Sequence, residues 1–235
     1  MRPIAMTSRP RSLDRHAAIR QRVAYGRWQG RGLLACLGMA ALLSMAPTAS
    51  AEPVSAIGRL NFAGFRDRMH CTATLIAPDR VLTAAHCLPQ RARPENIHFL
   101  PGFAPAGWLE DLTLANWTAA PGKRDVALLC LAGSAQTAPL PRSAAGPVVG
   151  EALTVIGYPI PRRYAQSHID CMVERVDGAG GGFTLSCPLR PGASGAPVLR
   201  RTTAGSEIVG VVSATNATRS LAFDVSGERA LPPCE

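Results

Sequence analysis

Short apolar runs rich in Val, Ile, Leu and Thr recur from residue 54 to residue 225. Turn residues break them at short intervals, among them Ala77-Pro78-Asp79, Asp177-Gly178 and Gly180-Gly181-Gly182. Read as strands, the runs fall at 54–60, 70–76, 80–84, 125–131, 151–157, 168–176, 182–187, 195–200, 206–214 and 219–225. No amphipathic helical period separates them; Thr83-Ala84-Ala85-His86 can begin at most a single helical turn. Strands in series with turn chemistry between them predict an all-β sandwich or barrel rather than alternating βαβ units. Residues 132–150, rich in Ala, Pro, Ser and Gly, read as the connection between two halves of similar size.

The first fifty residues obey a different pattern. Eight arginines stand among residues 1–31 against one acid, Asp14, and an apolar run from Leu33 to Ala46 follows, ending near Ala49-Ser50-Ala51. A basic stretch, an apolar stretch and an A-x-A site predict a secretory signal peptide over residues 1–51, cut after Ala51. The run falls short of the roughly twenty apolar residues a membrane span needs. The basic stretch is long for a signal peptide, and Met6 is an alternative start. Leu33-Leu34-Ala35-Cys36 resembles a lipoprotein site, but the apolar run continues past Cys36, where such a site would close it.

This leader changes how charge is read. It holds eight of the 25 basic and one of the 16 acidic residues, which leaves 17 and 15 and a net charge near +2. The sequence pI of about 9.9 therefore gives no support to nucleic-acid binding. The expected product is exported, secreted or periplasmic, with no membrane attachment after cleavage. Six cysteines follow the leader: Cys71, Cys87, Cys130, Cys171, Cys187 and Cys234. An even number in an exported chain predicts three disulfides, although six cysteines admit about fifteen pairings.

Three islands carry candidate chemistry. The first runs from Cys71 to Pro78 and on through Leu82-Thr83-Ala84-Ala85-His86-Cys87. The second is Lys123-Arg124-Asp125-Val126-Ala127-Leu128, and the third is Pro191-Gly192-Ala193-Ser194-Gly195-Ala196-Pro197. A serine on a tight turn flanked by glycines can be exposed as a nucleophile while successive N–H groups converge on one point. Its hydroxyl needs a base. His86 titrates in the right range, and Asp125 at the head of an apolar strand would hold its tautomer.

Taken together, the islands resemble the trypsin-like (chymotrypsin-clan) serine peptidases, in the compact bacterial branch with glutamyl-endopeptidase-like enzymes. The resemblance rests on Leu82–Cys87 for the histidine motif, Asp125–Leu128 for the aspartate motif and Gly192–Pro197 for the serine motif, in the family's order. It covers about Val54 to Val225. It implies two six-stranded antiparallel β-barrels, expected at 52–140 and 141–235, with the active site between them. It further implies His86, Asp125 and Ser194 as catalytic triad, the N–H groups of Gly192 and Ser194 as oxyanion hole, and Ser213 as a hydrogen-bond donor to the aspartate. Ser213, Ala214 and Thr215 would line the substrate site. A Cys71–Cys87 bridge around the histidine loop is implied in the same way. Cys171 and Cys187 flank the 177–182 turn and could staple it, which leaves Cys130 with Cys234; the pairing of these four is open in the sequence.

Departures from the family are equally informative. Ala193 stands where family members activated by N-terminal cleavage carry an aspartate, so a switch based on that ion pair is excluded. Pro188 maps near the aspartate that selects basic side chains, and Val212 replaces the histidine of glutamyl endopeptidases. Thr215, where many relatives have glycine, narrows the pocket toward small or medium apolar side chains. The expected partner is a protein or peptide substrate, the expected state a monomer, and neither a cofactor nor a metal is required. Zinc at His70-Cys71 and His86-Cys87 has the wrong spacing for common modules. His98, His168, Arg162-Arg163 and Arg200-Arg201 read as surface groups. The rival readings are a trypsin-fold binding protein with little turnover and an esterase on the same fold.

Overall fold

The computed structural model describes residues 54–62, 70–88, 93–178, 180–227, 231 and 234. The expected leader, residues 1–51, lies outside the described residues. Twelve strands form two closed antiparallel barrels. The first barrel contains β1 (Ile57–Phe62), β2 (His70–Ala77), β3 (Arg80–Thr83), β4 (Ile97–Pro101), β5 (Leu112–Ala119) and β6 (Ala127–Leu131), in the order β1-β2-β3-β6-β5-β4. The second contains β7 (Ala152–Gly157), β8 (Ser167–Val176), β9 (Gly182–Leu185), β10 (Pro197–Thr202), β11 (Gly205–Thr215) and β12 (Ser220–Asp224), in the order β10-β11-β12-β9-β8-β7. Closure removes every sheet edge, which is how an all-β chain protects its unpaired backbone groups.

Ten of these strands coincide with the apolar runs, and two do not. β4 and β5 were not expected, because β4 is short and closes on Pro101-Gly102, and β5 buries only Leu114 fully. β1 begins three residues later than the run at 54–60 suggests. The Val54 N–H donates to Gln166 Oε1 and its carbonyl accepts from Gln166 Nε2–H, so the backbone there pairs with a side chain instead of a strand.

Two apolar cores result. One fills the first barrel and continues across to Ile156, Tyr158, Leu199, Ile208 and Val211 of the second; the other fills the second barrel around Leu153, Val173, Phe183, Leu185 and Val209. A fully buried Leu, Ile or Phe contributes roughly 1.5–3 kcal/mol, so both barrels are held chiefly by these interiors. The connection crosses between Leu140, whose N–H donates to Leu75, and Ser143, whose N–H donates to Ile208. Disulfides join Cys71 to Cys87, Cys171 to Cys187 and Cys130 to Cys234. The last ties the C-terminal tail to β6.

Arg200 departs from its expected place in solvent. Its guanidinium donates to both Glu151 carboxylate oxygens, at 2.5 and 3.0 Å, and to Ser143 Oγ and the carbonyls of Ala145 and Gly146. One planar fork of five donors thus fastens the connection against β10. His98 is also not a free surface group, since its Nδ1 lies 2.6 Å from Asp111.

Candidate active site

β3 and β6 are antiparallel neighbours with Thr83 opposite Ala127, so the chain leaving β3 and the chain entering β6 meet at one end of the first barrel. His86 rides on the short 3-10 turn Ala85–Cys87 that follows β3, and Asp125 sits just before β6. The Cys71–Cys87 bridge anchors that turn back to β2. The Asp125 carboxylate is half-buried and well supplied with donors. Its Oδ1 accepts the His86 backbone N–H at 2.8 Å, and its Oδ2 accepts His86 Nδ1–H at 2.6 Å and Ser213 Oγ–H at 2.5 Å.

Electrostatics follow from this geometry. The hydrogen bond that His86 Nδ1–H donates to Asp125 raises the His86 pKa above its ordinary 6.5, with burial working against it and the carboxylate charge assisting. Burial pushes the Asp125 carboxyl up, but the donors from the His86 ring, Ser213 and the His86 backbone outweigh it and hold the group below its ordinary value. An ionised Asp125 keeps the proton on Nδ1 and leaves Nε2 with its lone pair.

The loop between β9 and β10 carries Ser194. Gly192 has φ of +94° and Gly195 has φ of +79°, both in the region that favours glycine. Space enforces the same choice: a Cβ on Gly195 would fall 2.2 Å from the Thr72 carbonyl oxygen, and one on Gly192 would fall 2.4 Å from that of Tyr158. Every carbonyl from 191 to 194 is engaged. Pro191 accepts from the Ile160 N–H, Gly192 from Thr72 Oγ1–H, Ala193 from the Ala196 N–H and Ser194 from the Thr72 N–H. The Ala193 and Gly195 N–H groups donate to Arg190 and Val212. Among the described residues, only the N–H groups of Gly192 and Ser194 in this turn have no acceptor. Two unengaged donors two residues apart, on a loop whose carbonyls are all tied, leave N–H groups that can donate to an anionic oxygen.

Ser194 also lines a pocket of about 200 Å³ with Leu189, Arg190, Pro191, Ala193, Val212, Ser213, Ala214 and Thr215. The same Ser213 that bonds Asp125 therefore connects the His86 side of the site to the Ser194 side. Thr215 Oγ1 accepts the Leu189 N–H at 2.9 Å and lies within 3.3 Å of the carbonyls of Leu189, Asn216 and Arg219. Its side chain thus knits the pocket wall. Pro188 is absent from the lining, and no carboxylate is part of it. Beyond Ala214 and Thr215 an open depression of about 720 Å³ reaches the ion pair of Arg219 with Glu174.

Cys71, His86 and Cys87 are close enough to suggest a metal cluster, but the two sulfurs are joined to each other and offer no thiolate. Thr72, Tyr158, Gln166 and Ile160, none of them singled out from the sequence, hold the Ser194 loop or its support. The signal that could have found them is the alternation of polar His70, Thr72 and Thr74 along β2 beside Cys71, all three buried.

Against known proteins, residues 71–211 match the trypsin-like peptidase domain family. Among solved structures, a Glu endopeptidase superposes with a TM-score of 0.62 at 20% identity, covering 74% of this chain and 86% of that one. The protease Anisep from Arthrobacter nicotinovorans gives 0.60 at 18%, covering 74% and 92%. An inactivated protease paralogue of the scabies mite gives 0.61 at 17%, covering 73% and 90%. At such identities these structures share the fold, and the residues that act must be read from this chain.

Proposed function

The chain belongs to the trypsin-like peptidase family, and from that membership we propose that it is an exported serine endopeptidase. Ser194 attacks the peptide carbonyl, and His86 Nε2 accepts the hydroxyl proton and returns it to the leaving amine. Asp125 holds His86 in the tautomer with Nδ1 protonated and stabilises its cation. The N–H groups of Gly192 and Ser194 receive the oxyanion. Water then attacks the acyl-Ser194 ester by the same route in reverse, which releases the acid and restores the serine.

One observation carries this reading: Asp125 accepts three hydrogen bonds, two from His86 and one from a serine that lines the Ser194 pocket. Two of these bonds fix the imidazole from both its ring and its backbone, which supports a role for Asp125 in orienting His86. Three disulfides support passage through an oxidising compartment. Among the described residues no helix is long and apolar enough to cross a membrane. The small pocket and the Thr215 side chain support cleavage after small or medium apolar residues.

A fluorophosphonate probe on the oxidised protein, beside Ser194→Ala, tests this reading. Labelling of the wild type alone supports an activated Ser194, and turnover of peptides should fall by roughly 10⁴–10⁶ in the variant. Activity surviving in Ser194→Ala would refute the assignment. A folded wild type that stays unlabelled would favour the binding-protein reading, and hydrolysis of esters without amides the esterase reading.

A further inference from the structure

Thr72 lies on β2 of the first barrel, fully buried, and reaches the Ser194 loop of the second barrel twice. Its N–H donates to the Ser194 carbonyl at 2.8 Å, and its hydroxyl donates to the Gly192 carbonyl at 2.8 Å. The same hydroxyl accepts the Tyr158 N–H at 3.1 Å, so both its donor and its acceptor capacity are in use. The fit around it is close: a Cβ on Gly157 would fall 2.9 Å from Thr72 Oγ1. Tyr158 is in turn fully buried and fixed. Its phenol donates toward the carbonyls of Ile57 and Phe103 and accepts from Gln166 Nε2, while its own carbonyl meets His70 Nε2 at 2.7 Å.

The two unengaged N–H groups belong to Gly192 and Ser194, and the peptide unit joining 192 to 193 lies between them. Its glycine end, with φ of +94°, has no Cβ to restrict its rotations. This peptide has two polar ends, the Ala193 N–H held by the Arg190 carbonyl at 3.1 Å and the Gly192 carbonyl held by Thr72 Oγ1–H at 2.8 Å, and together they set the angle between the two donors. The other three carbonyls of the turn are held by backbone N–H groups, which a side-chain substitution leaves in place. The Gly192 carbonyl alone is held by a side chain.

We propose that Thr72 is a positioning residue for the oxyanion site, its hydroxyl fixing the 192–193 peptide so that the Gly192 and Ser194 N–H groups converge on one oxygen. This inference rests on the peptidase reading above and deepens it. Thr72 touches no substrate; it acts through Gly192. The aim of the two donors matters most when charge develops on the oxygen, so loss of the hydroxyl lowers kcat and leaves KM nearly unchanged.

The test uses the full chain, expressed with export and purified oxidised, as wild type, Thr72→Val, Thr72→Ser and Ser194→Ala, each assayed on one peptide substrate and with the fluorophosphonate probe. Thr72→Val, which keeps the shape and removes the hydroxyl, should lower kcat by roughly 10- to 100-fold with KM within about threefold, and Thr72→Ser should recover to within about threefold of wild type. A Thr72→Val kcat within about threefold of wild type overturns the inference, as does a loss that Thr72→Ser fails to recover. Should Thr72→Val not fold, Thr72→Ala carries the same expectation, and failure of both to fold assigns Thr72 a structural role and overturns the proposal. A folded wild type that neither turns over nor labels defeats the peptidase reading itself, which separates the two failures.

Discussion

At the scale of single residues, the pair His86–Asp125 makes a signed prediction about pH. The base must be neutral to accept a proton, and its pKa is raised by Asp125, so kcat/KM should climb with pH through a midpoint above 6.5. Asp125→Asn removes that hydrogen bond from the charged partner. The midpoint should move to lower pH while the plateau falls by roughly 10³–10⁴, because the imidazole then loses its fixed tautomer. A pH–rate profile of both proteins decides it; an unshifted midpoint would detach His86 from Asp125. Stability follows the same linkage with opposite signs. The contribution of His86 is complete below 6.5 and fades as pH rises through its folded value, whereas that of Asp125 is complete above its ordinary 3.8 and fades as pH falls through its folded value. His86, Asp125 and Ser194 could be singled out as candidates because each sits in a short local motif. Thr72 and Tyr158 could not, because Thr72 meets Gly192 and Tyr158 only when the two barrels come together, and no local pattern marks that contact.

Elements show a similar division. The run from Thr83 to His86 could be read as a single turn, and a 3-10 turn over Ala85–Cys87 is found. β5 could not be read, since seven of its eight positions are half-buried or exposed with no regular alternation. Nor did the sequence distinguish Arg200 from Arg201, although one is a clamp and the other exposed. Glu151 and Arg200 each keep only about a fifth of their side-chain surface, 20% in both cases, and their contact lowers the Glu151 pKa. Arg200→Ala leaves Glu151 and three acceptors of the connection without their donor. Chemical denaturation should show a loss of about 2–3 kcal/mol with fluorophosphonate labelling retained. Arg200→Lys should recover only part of it, a point charge being unable to serve five positions. A change under about 0.5 kcal/mol would show that the connection is held by its backbone bonds.

For the whole molecule, the resemblance implied twelve strands where the pattern of apolar runs supplied ten, and the barrels close with twelve. The apolar pattern reports which residues are buried but not which strands are neighbours, so the pairing of β3 with β6 that brings His86 to Asp125 was out of its reach. The connection between the barrels carries two large apolar side chains turned outward, Val148 at 64% and Val149 at 60% exposure. Cys130 lies before that point and Cys234 after it. A chain nicked between Val148 and Val149 would therefore remain one covalent molecule, its halves also joined by the shared core and by Thr72. It should run as a single band without reductant and keep its labelling. Reduction under denaturing conditions should release two fragments, one with His86 and Asp125 and the other with Ser194, each silent alone, and mixing them under reoxidation should restore the signal by fragment complementation.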